Sequence, residues 1–287
     1  MEAGPQRGIL RDMRCTQTGL AIALSLLAGC FPTYSQRLQA QAALGAAPLG
    51  ERAETSRVVM PWRAIGHSVK GRPLSVASIG MGPRKVLWVG GIHGDEREGA
   101  IATQELPAAF LATEGAAARV TLTILEDVNP DGSSLGTRGN ANGVDLNRNY
   151  PAKNFKAARR FGMQPLSQPE SRALHDFLLK NSFDLVIVAH SWRNDHFINF
   201  DGPAHDAALL FSARSGYAVR DSGDMSPTPG SLGSWVGRTL GKGILTLEYQ
   251  RGRDAWAAWE ETKSAILAVI VEAKVDARDT NAVDDAR

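Results

Sequence analysis

Four side chains that could bind and use a metal ion follow apolar runs in the sequence. His93 and Glu96 lie three residues apart on a glycine-rich turn, and His190 and Glu248 each end a later apolar run. Two histidines and one carboxylate form a ligand set that leaves an open position on a catalytic Zn²⁺ ion. A second carboxylate can take a proton from an attacking water molecule and pass it to a leaving amine. The sequence therefore predicts a hydrolytic site with one Zn²⁺ ion held by the first three residues and with Glu248 as general base.

The elements that would position these residues alternate between strands and helices, which is typical of an α/β sheet covered by helices. We expect strands at residues 73–79, 85–89, 120–127, 184–189 and 244–249, with the first two adjacent in the sheet. We expect helices at 98–112 with a bend near Pro107, from a capping box of Ser167 and Glu170 to 179, and from Asp254 as N-cap to 273. The site should lie beyond the carboxyl ends of the strands, where open α/β sheets bind ligands.

The composition of the 287-residue chain limits the classes of function. A hydrophobic fraction of 43% and a formal net charge of +2 are ordinary for a globular α/β body. The basic residues are scattered and form no cluster interleaved with aromatic residues, so we predict no nucleic-acid partner. Cys15 and Cys30 are the only cysteines, which excludes a disulfide framework and a cysteine-based metal site from the rest of the chain.

Longer motifs around the four residues resemble those of the zinc carboxypeptidases. They are IGHSVKGRP at 65–73, HGDE at 93–96, NPDG at 129–132, RGNANGVDLNRNYP at 138–151 and LTLE at 245–248. An isolated His-x-x-Glu pair is weak evidence, but the order and spacing of these motifs match the family over most of residues 60–250. The resemblance implies an α/β fold with a mixed eight-stranded sheet flanked by helices, and one bound Zn²⁺ ion. Within the family, the stretch 129–151 is similar to the murein peptide amidases.

The resemblance also implies roles for individual residues. His93, Glu96 and His190 match the metal ligands of the family, and Glu248 matches its general base. Arg138 matches the arginine that stabilises the developing oxyanion, since a guanidinium group suits a growing negative charge. Asn147 and Arg148 match the pair that binds the terminal carboxylate of the substrate. Together they supply an amide donor and a cation that can bind a carboxylate bidentately.

Two positions depart from the digestive members of the family. Ser226 occupies the position where those enzymes place a tyrosine on a mobile loop, so tyrosine assistance is not expected. Gly233 aligns with the position that sets their side-chain preference. A glycine there leaves room for a large or branched substrate side chain but supplies no charge.

The predicted reaction is hydrolysis of the γ-D-glutamyl–meso-diaminopimelate amide bond in murein peptides. In a tripeptide stem the diaminopimelate is terminal and keeps a free carboxylate for Asn147 and Arg148. Its distal amine and carboxylate need polar partners, for which the candidates are Arg193, Asp195, Asp201 and Arg238. Three alternatives stay open: a general carboxypeptidase acting on protein or peptide C-termini, an N-acyl-amino-acid deacylase, and an inactive wall-binding lipoprotein.

The first thirty residues resemble a bacterial lipoprotein signal peptide. Basic residues precede a short apolar run, and LAGC at 27–30 places small residues directly before Cys30. Such a run is too short to span a bilayer as a stable helix but fits the core of a signal peptide. We expect acylation of Cys30 and an extracytoplasmic protein anchored to a membrane and facing the periplasm. The alternative is a buried N-terminal helix with an incidental cysteine.

Four segments follow from these interpretations. They are the signal peptide at 1–30, a flexible tether rich in Ala, Gln and Gly at 31–56, a zinc peptidase domain at 57–275, and a disordered polar tail at 276–287. Met1 and Met13 are both candidate start positions.

Overall fold

An eight-stranded mixed sheet forms the centre of the computed structural model, which describes Met1 and residues 58–225 and 228–273. The strands are β1 (Arg63–His67), β2 (Pro73–Ile79), β3 (Arg84–Val89), β4 (Val120–Leu125), β5 (Leu185–Trp192), β6 (Phe197–Asp201), β7 (Ala218–Asp221) and β8 (Ile244–Gln250). Their order across the sheet is β1-β2-β4-β3-β5-β8-β6-β7. The four strands β4, β3, β5 and β8 run parallel, and antiparallel pairs flank them. This architecture confirms the predicted fold class.

Helices cover both faces of the sheet. Within the described ranges they are α1 (Ala100–Ala112), α2 (Ala116–Arg119), α3 (Pro130–Leu135), α4 (Pro169–Lys180), α5 (His205–Ser215) and α6 (Ala255–Glu272). A single 3₁₀ turn (Leu146–Arg148) and a π-helical segment (Ser234–Thr239) complete the regular structure there. None of the described helices combines the length and the apolar character needed to cross a membrane.

The central strands are buried on both faces, which explains their nearly continuous apolar sequences. Successive side chains of a strand point to opposite faces. Trp88 of β3 accordingly packs in one apolar cluster with residues of α1, α5 and α6. The neighbouring Leu87 packs in a second cluster on the other face, with Leu174 of α4 and Trp235 of the π-helical segment. Two separate cores therefore hold the central strands rigidly from both sides.

The predicted adjacency of the strands at 73–79 and 85–89 is wrong. The bounds of β2 match the prediction, but β4 lies between β2 and β3. The connection between these two strands crosses the start of β4 at very short range. A Cβ atom at Gly82 would lie 1.9 Å from the carbonyl carbon of Arg119, so glycine allows this crossing. The turn between β2 and β3 is short, but the chain after β3 returns through α1 and places β4 between them.

The predicted capping box of α4 is also wrong, although the predicted cap of α6 is confirmed. Gln168 is the N-cap of α4, and its side chain makes no cap hydrogen bond. The Ser167 hydroxyl instead accepts a hydrogen bond from Asn149 Nδ2 at 2.9 Å, and Glu170 Oε1 accepts one from the Val69 amide at 3.0 Å. Both side chains therefore accept hydrogen bonds from residues outside the helix and do not cap its first turn. Asp254 keeps its local role at the start of α6, where its carboxylate accepts from the Ala257 amide at 2.9 Å.

Candidate metal centre

Three of the predicted site residues converge beyond the carboxyl ends of the central strands. One ligand atom from each of His93, Glu96 and His190 lies within 4.8 Å of the others. Nδ1 of His93 is 2.9 Å from Oε1 of Glu96, and Nδ1 of His190 is 2.8 Å from Oε2 of the same carboxylate. The three side chains are at most 5% exposed. The structure thus brings together the ligand set that the sequence predicted.

The turn carrying two of these residues reaches its position because it packs backbone to backbone against α3. A Cβ atom at Gly94 would lie 2.0 Å from the carbonyl carbon of Gly132. Asn129, the N-cap of α3, accepts from the Gly132 amide at 2.9 Å and donates to the carbonyl of Ile92 at 3.4 Å. The glycines of the turn and of α3 therefore set the position of the His93 side chain relative to the sheet.

The residues around this cluster fit a zinc ion of the catalytic type. Both histidines direct Nδ1 towards one carboxylate, so a single cation can take one atom from each of the three residues. Glu248 lies beside His190 in the β5–β8 pairing and lines the same pocket. Its Oε2 atom is buried and has no hydrogen-bond partner among the described residues. Buried polar atoms are normally satisfied, so this oxygen points to a bound group that the protein itself does not supply.

The second ring nitrogen of each histidine also has a partner. Nε2 of His93 lies 2.9 Å from Oδ1 of Asp145, and Nε2 of His190 lies 3.1 Å from Nδ2 of Asn147. Such contacts hold the ring orientation of a metal-binding histidine. Sequence reasoning missed Asp145 as a functional residue. The available signal was its place in the DLNRN motif, two residues before Asn147.

Burial and charge shift the ionisation of the cluster in opposite directions. Burial by itself lowers the pKa of His93, but Glu96 and Asp145 outweigh it and raise that pKa to about 9. Burial disfavours the charged form of Glu96, yet His93 and His190 hold its pKa well below the usual range. Burial, reinforced by Glu96, raises the pKa of Glu248 to about 8. Two glutamates in one pocket therefore have very different proton affinities.

The remaining predicted residues line the same pocket. The Arg138 guanidinium donates to Oε1 of Glu96 at 2.8 Å and to Oδ2 of Asp145 at 3.0 Å. Arg148 donates from Nη1 to the carbonyl of Asn147 at 2.6 Å, and Oδ1 of Asn147 accepts from the Leu232 amide at 2.9 Å. Arg138, Asn147, Arg148 and Gly233 all line the pocket that contains the ligand cluster and Glu248. Their proposed roles towards substrate stay predictions.

The four candidates for the distal end of the substrate separate in the structure. Asp201 lines the pocket, whereas Arg238 contacts its carboxylate without lining the pocket. Asp195 forms an ion pair with Arg220 outside the pocket lining, and Arg193 is exposed. Asp201 is therefore the only one of the four that both lies in the pocket and is buried.

Several predictions concern residues outside the described ranges. They are the signal peptide at 1–30 apart from Met1, with Cys30, the tether at 31–56, the tail at 276–287, and Ser226 in place of the tyrosine. All of them stay predictions.

A sheet of this topology with two histidines and a glutamate at its strand ends defines a metallopeptidase fold and site. The family model described as zinc carboxypeptidase matches residues 51–251, and the chain belongs to that family of hydrolases. It is 30% identical to murein peptide amidase A of Escherichia coli (strain K12) over 187 residues, which cover 59% of this chain and 74% of that protein. It is 29% identical to the Vibrio campbellii protein of the same name over 203 residues, 64% of this chain and 77% of that one.

A solved structure of a murein amidase also shares the fold. The crystal structure of murein-tripeptide amidase MpaA from Escherichia coli O157 superposes with a TM-score of 0.64 and 26% sequence identity. The superposition covers 78% of this chain and 98% of that one. The described fold is therefore shared along almost the full length of that enzyme.

Replacing Asp145 by Asn is expected to weaken zinc binding about 10- to 100-fold, because the charge that orients and polarises His93 is lost. Competition with a chromophoric chelator measures the affinity. Asp176→Asn is the matched control, since Asp176 also contacts a histidine, Nδ1 of His175 at 2.9 Å, but its side chain is 61% exposed. Equal zinc affinities for the two variants would contradict the role of Asp145.

Zinc and a proton compete for His93, so zinc binding should depend on pH. Without a cation the pKa of His93 is about 9, and its ring is therefore protonated at pH 7. A protonated ring nitrogen cannot bind a metal, so the apparent zinc affinity should rise with pH and level off above the pKa. Calorimetry at pH 7 in buffers of different ionisation enthalpy should report release of about one to two protons per zinc ion bound, one from His93 and up to one more from Glu248, whose pKa is about 8 without the cation. Binding without proton release would show this expectation to be wrong.

Proposed function

We propose that this metallopeptidase hydrolyses the γ-D-glutamyl–meso-diaminopimelate amide bond of murein peptides at one zinc ion held by His93, Glu96 and His190. The observation that carries the proposal is the buried ligand cluster beside the unpartnered oxygen of Glu248. The names of the similar proteins, murein peptide amidase A and murein-tripeptide amidase, support the choice of substrate.

Different residues of the pocket have different roles in the proposed reaction. Arg148 and Asn147 bind the terminal carboxylate of the substrate, because a guanidinium group pairs with a carboxylate bidentately. A bound zinc ion supplies a Lewis acid that polarises the scissile carbonyl and acidifies the attacking water. Arg138 stabilises the negative charge that develops on the carbonyl oxygen. Its contacts with Glu96 and Asp145 hold the guanidinium beside the ligand cluster.

Glu248 carries the proton between the two halves of the reaction. Its buried carboxylate takes a proton from the attacking water and hands it to the nitrogen of the leaving amine. Burial and the nearby Glu96 raise the pKa of Glu248 to about 8. The protonated carboxyl group is therefore populated near neutral pH and can act as an acid. Positive charge from a bound cation favours the carboxylate form that is needed first.

Glu248→Gln should lower kcat for L-Ala-γ-D-Glu-meso-diaminopimelate by about 10²–10⁴-fold while zinc remains bound, because the amide cannot accept the proton. Mass spectrometry of the products, with and without chelator, measures the reaction. Glu260→Gln on the exposed side of α6 is the matched control and should keep full activity, since its carboxylate contacts only Lys263 in the described structure.

The same assay separates the alternative functions. Cleavage of peptides that end in ordinary L-amino acids, without cleavage of the diaminopimelate peptide, would indicate a general carboxypeptidase. Hydrolysis of N-acyl-amino acids alone would indicate a deacylase. A zinc-loaded protein that cleaves none of these would be a wall-binding protein on a peptidase scaffold.

We also propose that the protein is an extracytoplasmic lipoprotein that meets murein at the membrane to which it is anchored. The motif LAGC at 27–30 after a short apolar run supports this proposal. In a bacterial host, metabolic labelling with a fatty acid should mark the wild-type protein and not Cys30→Ser. Cys15→Ser is the matched control and should keep the label, since Cys15 precedes the expected cleavage site. Labelling of Cys30→Ser would contradict the anchor.

A further inference from the structure

Positive charge is concentrated in a loop that follows Asn147 and Arg148 in the chain. Residues 153–165, called the basic loop below, contain four cations and no acidic residue. The cations are Lys153, Lys156, Arg159 and Arg160. The whole chain has a formal net charge of only +2, so this loop is an exception to the scatter of basic residues along the sequence.

No carboxylate neutralises the four cations within the described structure. All four residues are exposed, and none of them forms an ion pair with a described residue. Adjacent cations without counter-charges create a positive potential at the surface, which attracts anionic partners and repels cationic ones. The basic loop is therefore a candidate interaction surface for a partner that carries several negative charges.

Buried contacts hold the basic loop in one position relative to the catalytic motif. Asn149 is fully buried, and its Nδ2 donates to the carbonyls of Phe161 at 2.7 Å and Gln164 at 3.1 Å. The carbonyl of Arg160 accepts from the Asp145 amide at 2.8 Å. Because the backbone of the loop is already fixed, its cations can bind a partner with little further loss of conformational entropy.

The basic loop also lies beside the pocket. Oδ1 of Asn154 accepts from the Gly230 amide at 3.1 Å, within the segment 228–233 that contributes to the pocket lining. The charge of Arg160 reaches Arg148, a residue of the pocket. Burial is the largest cause of the lowered pKa of Arg148, and Arg160 is one of the nearby cations that lower it further. A substrate bound in the pocket is thus close to the positive surface.

The aromatic residues of the basic loop offer no platform for stacking of bases. Phe155 and Phe161 are half-buried. A Cβ atom at Gly230 would lie 2.9 Å from Cδ2 of Phe155, and the guanidinium of Arg160 lies 4.7 Å from the centroid of the Phe161 ring. Proteins that bind single-stranded nucleic acids use aromatic rings on which bases can stack. Charge without such rings fits a flexible anionic peptide polymer better than a nucleic acid.

Polymeric murein has the charge that complements this surface. In a tripeptide stem joined to the glycan, the α-carboxylate of D-Glu and both carboxylates of diaminopimelate are ionised at neutral pH, against a single ammonium group. Each stem is therefore a net anion, and the stems repeat along the polymer. When one stem occupies the pocket, a neighbouring stem can contact the basic loop. A released tripeptide has no second stem.

We propose that the basic loop is a second binding surface for polymeric murein, which binds the carboxylates of stems next to the one in the pocket. The inference rests on the proposed function and deepens it, because it makes murein with several stems a better substrate than the released tripeptide. Exposed ion pairs are individually weak and are screened by salt. Joining them to the pocket contact through one polymer makes the second binding event intramolecular, which raises the overall affinity.

Co-sedimentation with purified murein sacculi tests this surface. The full-length, zinc-loaded protein carries Glu248→Gln in this assay, so that the polymer is not cleaved during binding. Neutralising the basic loop should weaken binding about 10- to 100-fold at low ionic strength, with a much smaller effect in about 0.5 M salt. The changes are Lys153→Gln, Lys156→Gln, Arg159→Gln and Arg160→Gln. Since all four side chains are exposed, the melting temperature should not change.

Two further variants control for net charge and for folding. The first removes four exposed cations near the opposite edge of the sheet, where the parallel strands begin, and should bind sacculi as the Glu248→Gln parent does. Its changes are Arg63→Gln, Lys85→Gln, Arg119→Gln and Lys180→Gln. The second combines Arg159→Lys with Arg160→Lys, which preserves the charge of the basic loop. It should keep the affinity of the parent, because the contacts depend on charge rather than on guanidinium geometry.

Binding and hydrolysis together separate this inference from the proposed function. Binding to sacculi requires no hydrolysis, so an inactive protein whose binding depends on the basic loop would overturn the proposed function and leave the surface supported. In an active protein with Glu248 intact, neutralising the loop should lower kcat/KM for sacculi with tripeptide stems about 10-fold or more, and by a much smaller factor for the free tripeptide.

Three results would overturn the second binding surface. One is equal binding of sacculi by the neutralised loop variant and by the control with changes at the opposite edge of the sheet. Another is an equal loss of kcat/KM on sacculi and on the free tripeptide, which would place the effect in the pocket. The third is loop-dependent binding to phosphatidylglycerol vesicles or to duplex DNA without binding to sacculi, since the loop would then bind a membrane or a nucleic acid.

Discussion

The carboxylate of Glu96 is the buried charge on which the site depends. It contacts Nδ1 of both His93 and His190, the backbone amide of Ser191 and the guanidinium of Arg138. A buried carboxylate without such partners would be strongly unfavourable, so these contacts are needed for the fold as well as for the chemistry. They join the turn after β3, the end of β5 and the loop before the 3₁₀ turn. One charge thus couples three segments that are far apart in the chain.

Environment, more than residue type, separates the roles of the acidic groups. Glu96 lies among cationic partners, which hold its pKa low and keep it a permanent anion. Burial, together with that anion, raises the pKa of Glu248, which fits its proposed role as general base. Asp201 is held by an arginine on one side and a shared hydroxyl on the other. A rigid sheet, packed on both faces, keeps these three environments distinct within one pocket.

Much of the fold could be predicted because the spacing of apolar residues differs between strands and helices. The bounds of β2 and the cap of α6 by Asp254 follow from alternation and from local hydrogen bonding. The place of β4 between β2 and β3 could not be predicted, since strand order depends on which surfaces pack together after the chain has returned. The cap of α4 failed for the same reason. Asn149 and Val69, remote in sequence, supply donors that a local helix motif cannot reveal.

At the site, the sequence by itself predicted which residues could act as metal ligands, general base or carboxylate clamp, because residue type and motif spacing carry that information. His93, Glu96, His190 and Glu248 needed no structure to be named. Only the tertiary structure decided that Asp145 supports a ligand and that Asp201 places its charge beside a glycine. Those functions arise from contacts between side chains many residues apart, and distance in space is set by packing rather than by position along the chain.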